Sequence, residues 1–168
     1  LVFILLLGAF HSFFTKAPAE EGTIFFKESD YYTIRMKKHG GSGDKAQPVT
    51  LILDHLTHST TDLNNPSHLV YQYIQSFEEV LRWKAAKRET FDALFIGGGG
   101  YTLPLFINAN YPSARIDVVE VDPALISMAQ KYLGVSKVER IRSYAMDGRW
   151  FVLNAKSEGK YDFIFLDA

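Results

Sequence analysis

Phe91-Asp92-Ala93-Leu94-Phe95-Ile96 runs straight into Gly97-Gly98-Gly99-Gly100-Tyr101, and further on Arg115-Ile116-Asp117-Val118-Val119-Glu120 runs into Val121-Asp122-Pro123. Both are short apolar runs bounded by breakers, the pattern of strands buried on both faces. Between and after them lie helical patterns. Thr102-Leu103-Pro104-Leu105-Phe106-Ile107 follows the glycines, and Asp122-Pro123 caps a helix carrying Leu125, Met128, Ala129, Tyr132 and Leu133 that stops at Gly134. Residues 138–144 and 161–166 are further strands, with a short helix over residues 149–155 between them. Strands alternating with helices predict an α/β fold, a doubly wound parallel sheet of the Rossmann type.

Upstream of this unit the pattern differs. Residues 23–36 alternate in a strand-like way, Gly40-Gly41-Ser42-Gly43-Asp44 interrupts, and residues 49–53 resume, which predicts a small β-hairpin appendage. Asn65-Pro66 then reads as the start of a helix through Leu69, Tyr73, Phe77, Val80 and Leu81 to Lys87. The expected organisation is residues 1–22 as the end of a membrane helix plus linker, 23–64 as the β appendage and 65–168 as an incomplete nucleoside-binding α/β domain. The apolar run at residues 1–14 falls short of the roughly 20 residues that cross a bilayer, so it is expected to be the last half of a transmembrane helix. The closing Tyr161-Asp162-Phe163-Ile164-Phe165-Leu166-Asp167-Ala168 is a buried-strand pattern expected to continue into further chain.

Composition narrows the function classes. Across 168 residues the formal net charge is −1, 47% of residues are hydrophobic and there is no cysteine. These values argue against a nucleic-acid binder with a basic face and against disorder, and they exclude disulfides, thiolate metal sites and cysteine nucleophiles.

The chemistry gathers at the strand ends. Gly97, Gly98, Gly99 and Gly100 let the backbone turn tightly and come close to a ligand at a helix N-terminus. Glu120, 23 positions after Gly97, is placed to accept from the ribose hydroxyls of a nucleoside, and as a charge in an apolar strand it needs a partner. A nicotinamide fingerprint needs a third glycine where Thr102 stands, so a ligand without pyrophosphate, such as S-adenosylmethionine or a relative, fits better. Asp147, ahead of Gly148, suits an adenine amino group or the N-cap of the next helix. Asp167, ending the last strand, suits a general base or the holder of a cationic substrate. Asp54-His55-Leu56-Thr57-His58 has two imidazoles but no helical context, so no metal is expected.

Together, Glu28-Ser29-Asp30-Tyr31-Tyr32-Thr33-Ile34, Leu51-Ile52-Leu53-Asp54, Phe95 to Gly100, Val119 to Pro123, Asp147-Gly148 and Tyr161 to Asp167 resemble the spermidine synthase family of polyamine aminopropyltransferases, specifically variants fused behind a membrane segment. The resemblance covers residues 28–168. It implies aminopropyl transfer from decarboxylated S-adenosylmethionine to a polyamine or other amine. Gly97, Gly98, Gly99, Gly100, Glu120, Asp122, Asp147 and Gly148 would then hold the nucleoside, Asp167 would act as catalytic base, and His68 and Tyr71 would stand at the amine. It further implies a membrane-anchored protein with a cytoplasmic catalytic domain, a homodimer among the compatible assemblies, and no nucleic-acid partner. The chain departs from the family's pattern where the glycine loop carries no Asp, where Tyr32 and His58 replace glutamines, and where Asn64-Asn65 replaces an acidic pair. An S-adenosylmethionine-dependent methyltransferase and a non-catalytic nucleoside- or polyamine-sensing domain are the alternatives.

Overall fold

The computed structural model describes residues 21–40, 48–154 and 160–167. The apolar run at residues 1–14, most of the linker, and the glycine-rich segment from Gly41 to Asp44 lie outside the described residues. Among the described residues no helix is long and apolar enough to cross a membrane.

The α/β unit is built from β5 (Asp92–Ile96), α2 (Thr102–Asn110), β6 (Arg115–Glu120), α3 (Pro123–Tyr132), a 3-10 turn (Val135–Lys137), β7 (Ile141–Ala145), α4 (Gly148–Asn154) and β8 (Phe163–Leu166). Its strands lie in the order β7-β6-β5-β8 and every pairing is parallel. The chain therefore moves outward from β5 to β7 and returns to the other side of β5 for β8. That reversal leaves a crevice at the carboxyl ends of β5 and β8, where open α/β sheets bind ligands. The apolar runs explain the burial. Ala93, Leu94 and Phe95 of β5 and Val118 and Val119 of β6 are all buried, with helices over the sheet.

The appendage is larger than the expected hairpin. It is a four-stranded antiparallel meander of β1 (Thr23–Glu28), β2 (Thr33–Lys38), β3 (Pro48–Leu53) and β4 (Leu56–Asp62), in that spatial order. Residues 23–36, read as one strand, fold back on themselves at Ser29, whose Oγ accepts from the Tyr32 amide at 2.9 Å while its own amide donates to the Tyr32 carbonyl. A Ser-built turn of this kind leaves no glycine or proline for the eye to catch. β3 and β4 are joined through Asp54, which takes a left-handed φ of 55°.

α1 (Gln72–Ala85) starts later than expected. Asn65-Pro66 belongs to a turn in which the His68 amide donates to the Asn65 carbonyl, and Leu69 then bridges to Thr61, keeping the chain extended up to Tyr71. The helix turns Ile74, Leu81 and Ala85 inward. Phe77 reaches Phe165 of β8 at 5.8 Å between ring centroids, and Phe165 stacks on Phe95 of β5 at 4.6 Å.

Two joints fix the meander to the α/β unit. Ser29 Oγ donates to Asp122 Oδ2 at 2.5 Å, and Thr61 Oγ1 of β4 lies 2.8 Å from Thr102 Oγ1 of α2. Phe25 packs on Tyr132 at the far end of α3. Within the parallel sheet, buried Asp117 accepts from Arg142 Nε at 2.8 Å, Lys160 Nζ at 3.0 Å and Tyr161 OH at 2.7 Å. Burial pushes that carboxyl up, but the bonds from Tyr161, Lys160 and Arg142 outweigh it and hold Asp117 below the ordinary carboxylate range.

Candidate active site

Two crevices meet at the carboxyl ends of β5 and β8. The larger, about 250 Å3, has Gly97, Gly99, Glu120, Asp147 and Gly148 on the α/β side and Tyr32, Leu53 and His58 of the meander on the other. The smaller, about 80 Å3, runs under α1, between Tyr73 and Phe77 on one side and Ser59, Gly98 and Gly100 on the other. Gly97, Gly99, His58 and Asp167 border both.

The glycine loop has its shape for physical reasons. Gly97 takes φ 96°, a region side chains rarely adopt, and its amide donates to the Val119 carbonyl at 2.8 Å. A Cβ on Gly100 would stand 1.7 Å from Ser59 Oγ, so only glycine lets β4 close over the loop. Tyr101 then enters α2 through a left-handed φ of 55°, fully buried, its hydroxyl bonded to Ser143 Oγ at 2.9 Å. Burial pushes this phenol up to about 12.

Glu120 has found the partner that its buried charge requires. Its Oε2 accepts from the amides of Gly98 at 2.8 Å and Gly99 at 3.3 Å, and its Oε1 accepts from the Asp122 amide at 2.9 Å. A carboxylate offers about four acceptor positions, so three are in use and the loop is tied to the end of β6. Asp147 performs the capping role foreseen for it, since its Oδ1 accepts from the Trp150 amide at 2.8 Å, and it also lines the larger crevice. Gly148 beside it is close against β5, where a Cβ would stand 2.5 Å from Ile96 Cγ2.

Asp122 is not among the residues lining either crevice. It is buried, one oxygen capping α3 through the Ala124 amide at 2.8 Å and the other taken by Ser29. His68 and Tyr71 do not line them either. His68 is exposed in the turn before α1, and Tyr71 OH lies 3.3 Å from Thr60 Oγ1, one ring behind Tyr73.

Asp167 sits where the two crevices join, its amide held by the Ile96 carbonyl at 3.0 Å. Burial raises its pKa, while the nearby His58 and a hydrogen bond from the Tyr73 hydroxyl pull it back part of the way. Tyr73 is in turn raised by burial and by the Asp167 charge. Sequence reasoning took Tyr73 as one more member of an apolar helix face and weighed His58 as a metal ligand and as a replacement for a glutamine of the family's pattern, not as a neighbour of Asp167. No spacing rule marks either as a neighbour of Asp167, because they come from α1 and β4 while Asp167 follows β8.

No family model matches the chain. Over 76 residues it is 36% identical to the mouse eEF1A lysine and N-terminal methyltransferase, covering 44% of this chain and 11% of that protein. It is 37% identical over 76 residues to the polyamine aminopropyltransferase of Vibrio vulnificus, covering 45% of this chain and 25% of that protein. The chain thus spans a quarter or less of the length of these curated relatives. Among solved structures, a probable spermidine synthase from Corynebacterium glutamicum superposes with a TM-score of 0.76 at 20% identity, over 86% of this chain and 51% of that one. Spermidine synthase in complex with the transition-state analogue AdoDATO gives 0.61 at 24% identity, over 87% and 47%. Human methyltransferase-like protein 13 in complex with SAH gives 0.50 at 24% identity, over 58% and 48%.

The fold is common to both groups. It is a Rossmann-like parallel sheet, as foreseen from the sequence, and in this chain an antiparallel sheet stands in front of it.

Proposed function

We propose that this chain forms the nucleoside-binding part of a transferase that moves an aminopropyl group from decarboxylated S-adenosylmethionine to an amine. The observation that carries the reading is electrostatic. Glu120, Asp147 and Asp167 all line the larger crevice, and among the described residues lining it there is no Lys or Arg. A pyrophosphate would meet three carboxylates there with His58 as the one basic side chain among the described lining residues, whereas a sulfonium and an ammonium would each meet a carboxylate. Intact S-adenosylmethionine adds a carboxylate of its own, which this crevice disfavours; the decarboxylated form does not. The superpositions lend support, because a coverage of 86% cannot come from the α/β unit alone and takes in the antiparallel sheet.

In this reading Gly97 and Gly99 approach the nucleoside, Glu120 offers its remaining acceptor position to the ribose, and Asp147 accepts from the adenine amino group. Asp167 holds the acceptor as an ammonium and takes a proton as the nitrogen attacks, since only the neutral amine is a nucleophile. The new bond forms from nitrogen to the carbon beside the sulfonium as the carbon–sulfur bond breaks. Methylthioadenosine leaves as a neutral thioether. Tyr73 and His58 favour the charged carboxylate of Asp167 until it takes that proton.

The test is product analysis on the full-length protein with decarboxylated S-adenosylmethionine and a panel of amines. Methylthioadenosine is expected, and Asp167→Asn is expected to lower turnover by about 10²- to 10⁴-fold, the usual contribution of a positioned base. Wild-type turnover in Asp167→Asn would remove the base role. The second reading, methyl transfer, is favoured by the local identity to the methyltransferase relatives. It requires S-adenosylhomocysteine to accumulate from the intact nucleoside instead.

A further inference from the structure

The smaller crevice has walls of a different character from the larger. Tyr73 and Phe77 of α1, Phe95 of β5 and Phe165 of β8 supply aromatic surface, with Phe77 tilted against Phe165 and Phe165 stacked on Phe95. Among the described residues lining it, Asp167 at the junction is the sole carboxylate. The other polar groups carry no negative charge near neutral pH. Thr102 is engaged with Thr61, Ser59 lies against Gly100, and burial raises both Tyr73 and Tyr101 away from ionisation.

We propose that the acceptor is a primary monoamine with a short apolar tail, its ammonium at Asp167 and its tail against Phe77 and Phe165. The assignment rests on the aminopropyl-transfer reading above and names the substrate class for the same site. A diamine is doubly protonated near neutral pH. One ammonium would pair with Asp167, and the other would enter an aromatic crevice whose described lining residues offer no second carboxylate. Such a charge is costly to bury without a partner, and the attraction of an aromatic face for a cation does not replace an ion pair. A methylene tail loses nothing there and gains by leaving water. Phe77, half-buried on α1, is the side chain that decides between the two.

The experiment compares butylamine with putrescine, two amines with the same carbon count, as acceptors for the full-length protein with decarboxylated S-adenosylmethionine, scored as methylthioadenosine release. The kcat/KM for butylamine is expected to exceed that for putrescine by at least about tenfold. Equal or better use of putrescine would overturn the acceptor assignment while leaving aminopropyl transfer standing. No methylthioadenosine from either amine would overturn both. Phe77→Glu places a second carboxylate in the crevice and is expected to reverse the ranking. A Phe77→Glu protein with an unchanged Tm that still prefers butylamine would overturn the role given to Phe77.

Discussion

Asp167 works between opposing influences. Burial disfavours its carboxylate form, and the Tyr73 hydroxyl and the His58 ring favour it, with burial the stronger. A base must be deprotonated to act, so a raised pKa means that activity falls away, as pH is lowered, at a higher pH than an ordinary Asp would give. Removing the Tyr73 hydroxyl removes one of the groups that favours the charged form. The acid limb of the kcat profile in Tyr73→Phe is therefore expected to lie at higher pH than in the wild type. A limb that stays in place or moves to lower pH would contradict the hydrogen bond. Glu120 and Asp147 were legible as site candidates because each stands at the carboxyl end of a strand in an α/β pattern, although Asp147 also caps α4. The reason Glu120 is tolerated was not legible, because its partners are backbone amides of Gly98, Gly99 and Asp122, which carry no side-chain signature.

At the scale of elements, the contact that places the meander over the site is β4 against the glycine loop. Gly100→Ala puts a methyl group into Ser59, and overpacking of this kind costs about 1–3 kcal/mol. Chemical denaturation is expected to show that loss, and Ser59→Gly combined with Gly100→Ala is expected to recover most of it, since the two residues are in direct conflict. Additive losses in the double variant would contradict the contact. The glycines themselves stood out in the sequence, but the need for the last of them lay in a strand some 40 positions earlier. The same distance effect hid the start of α1. Asn-Pro serves a turn as readily as a helix N-terminus, and the bridge from Thr61 to Leu69 decided for the turn. The Ser29 turn was lost for the opposite reason, a local one, because alternation continues straight across it.

For the whole molecule, the order β7-β6-β5-β8 is what brings a loop after β5, the acid that ends β6, an acid after β7 and an acid after β8 to one edge. The alternation of apolar strands with capped helices made a doubly wound parallel sheet readable, but the strand order was not, because it depends on β8 pairing with β5 across the chain. The antiparallel sheet closes the crevice from the front with Tyr32, Leu53 and His58. The central claim is that this edge takes an adenosine thioether or sulfonium. Calorimetric titration of the full-length protein with methylthioadenosine tests it most directly, because that molecule contains the adenosine part and none of the transferred group. Saturable one-to-one binding, weakened in Asp147→Ala, is expected; no heat of binding, or an affinity that Asp147→Ala leaves unchanged, would contradict the account.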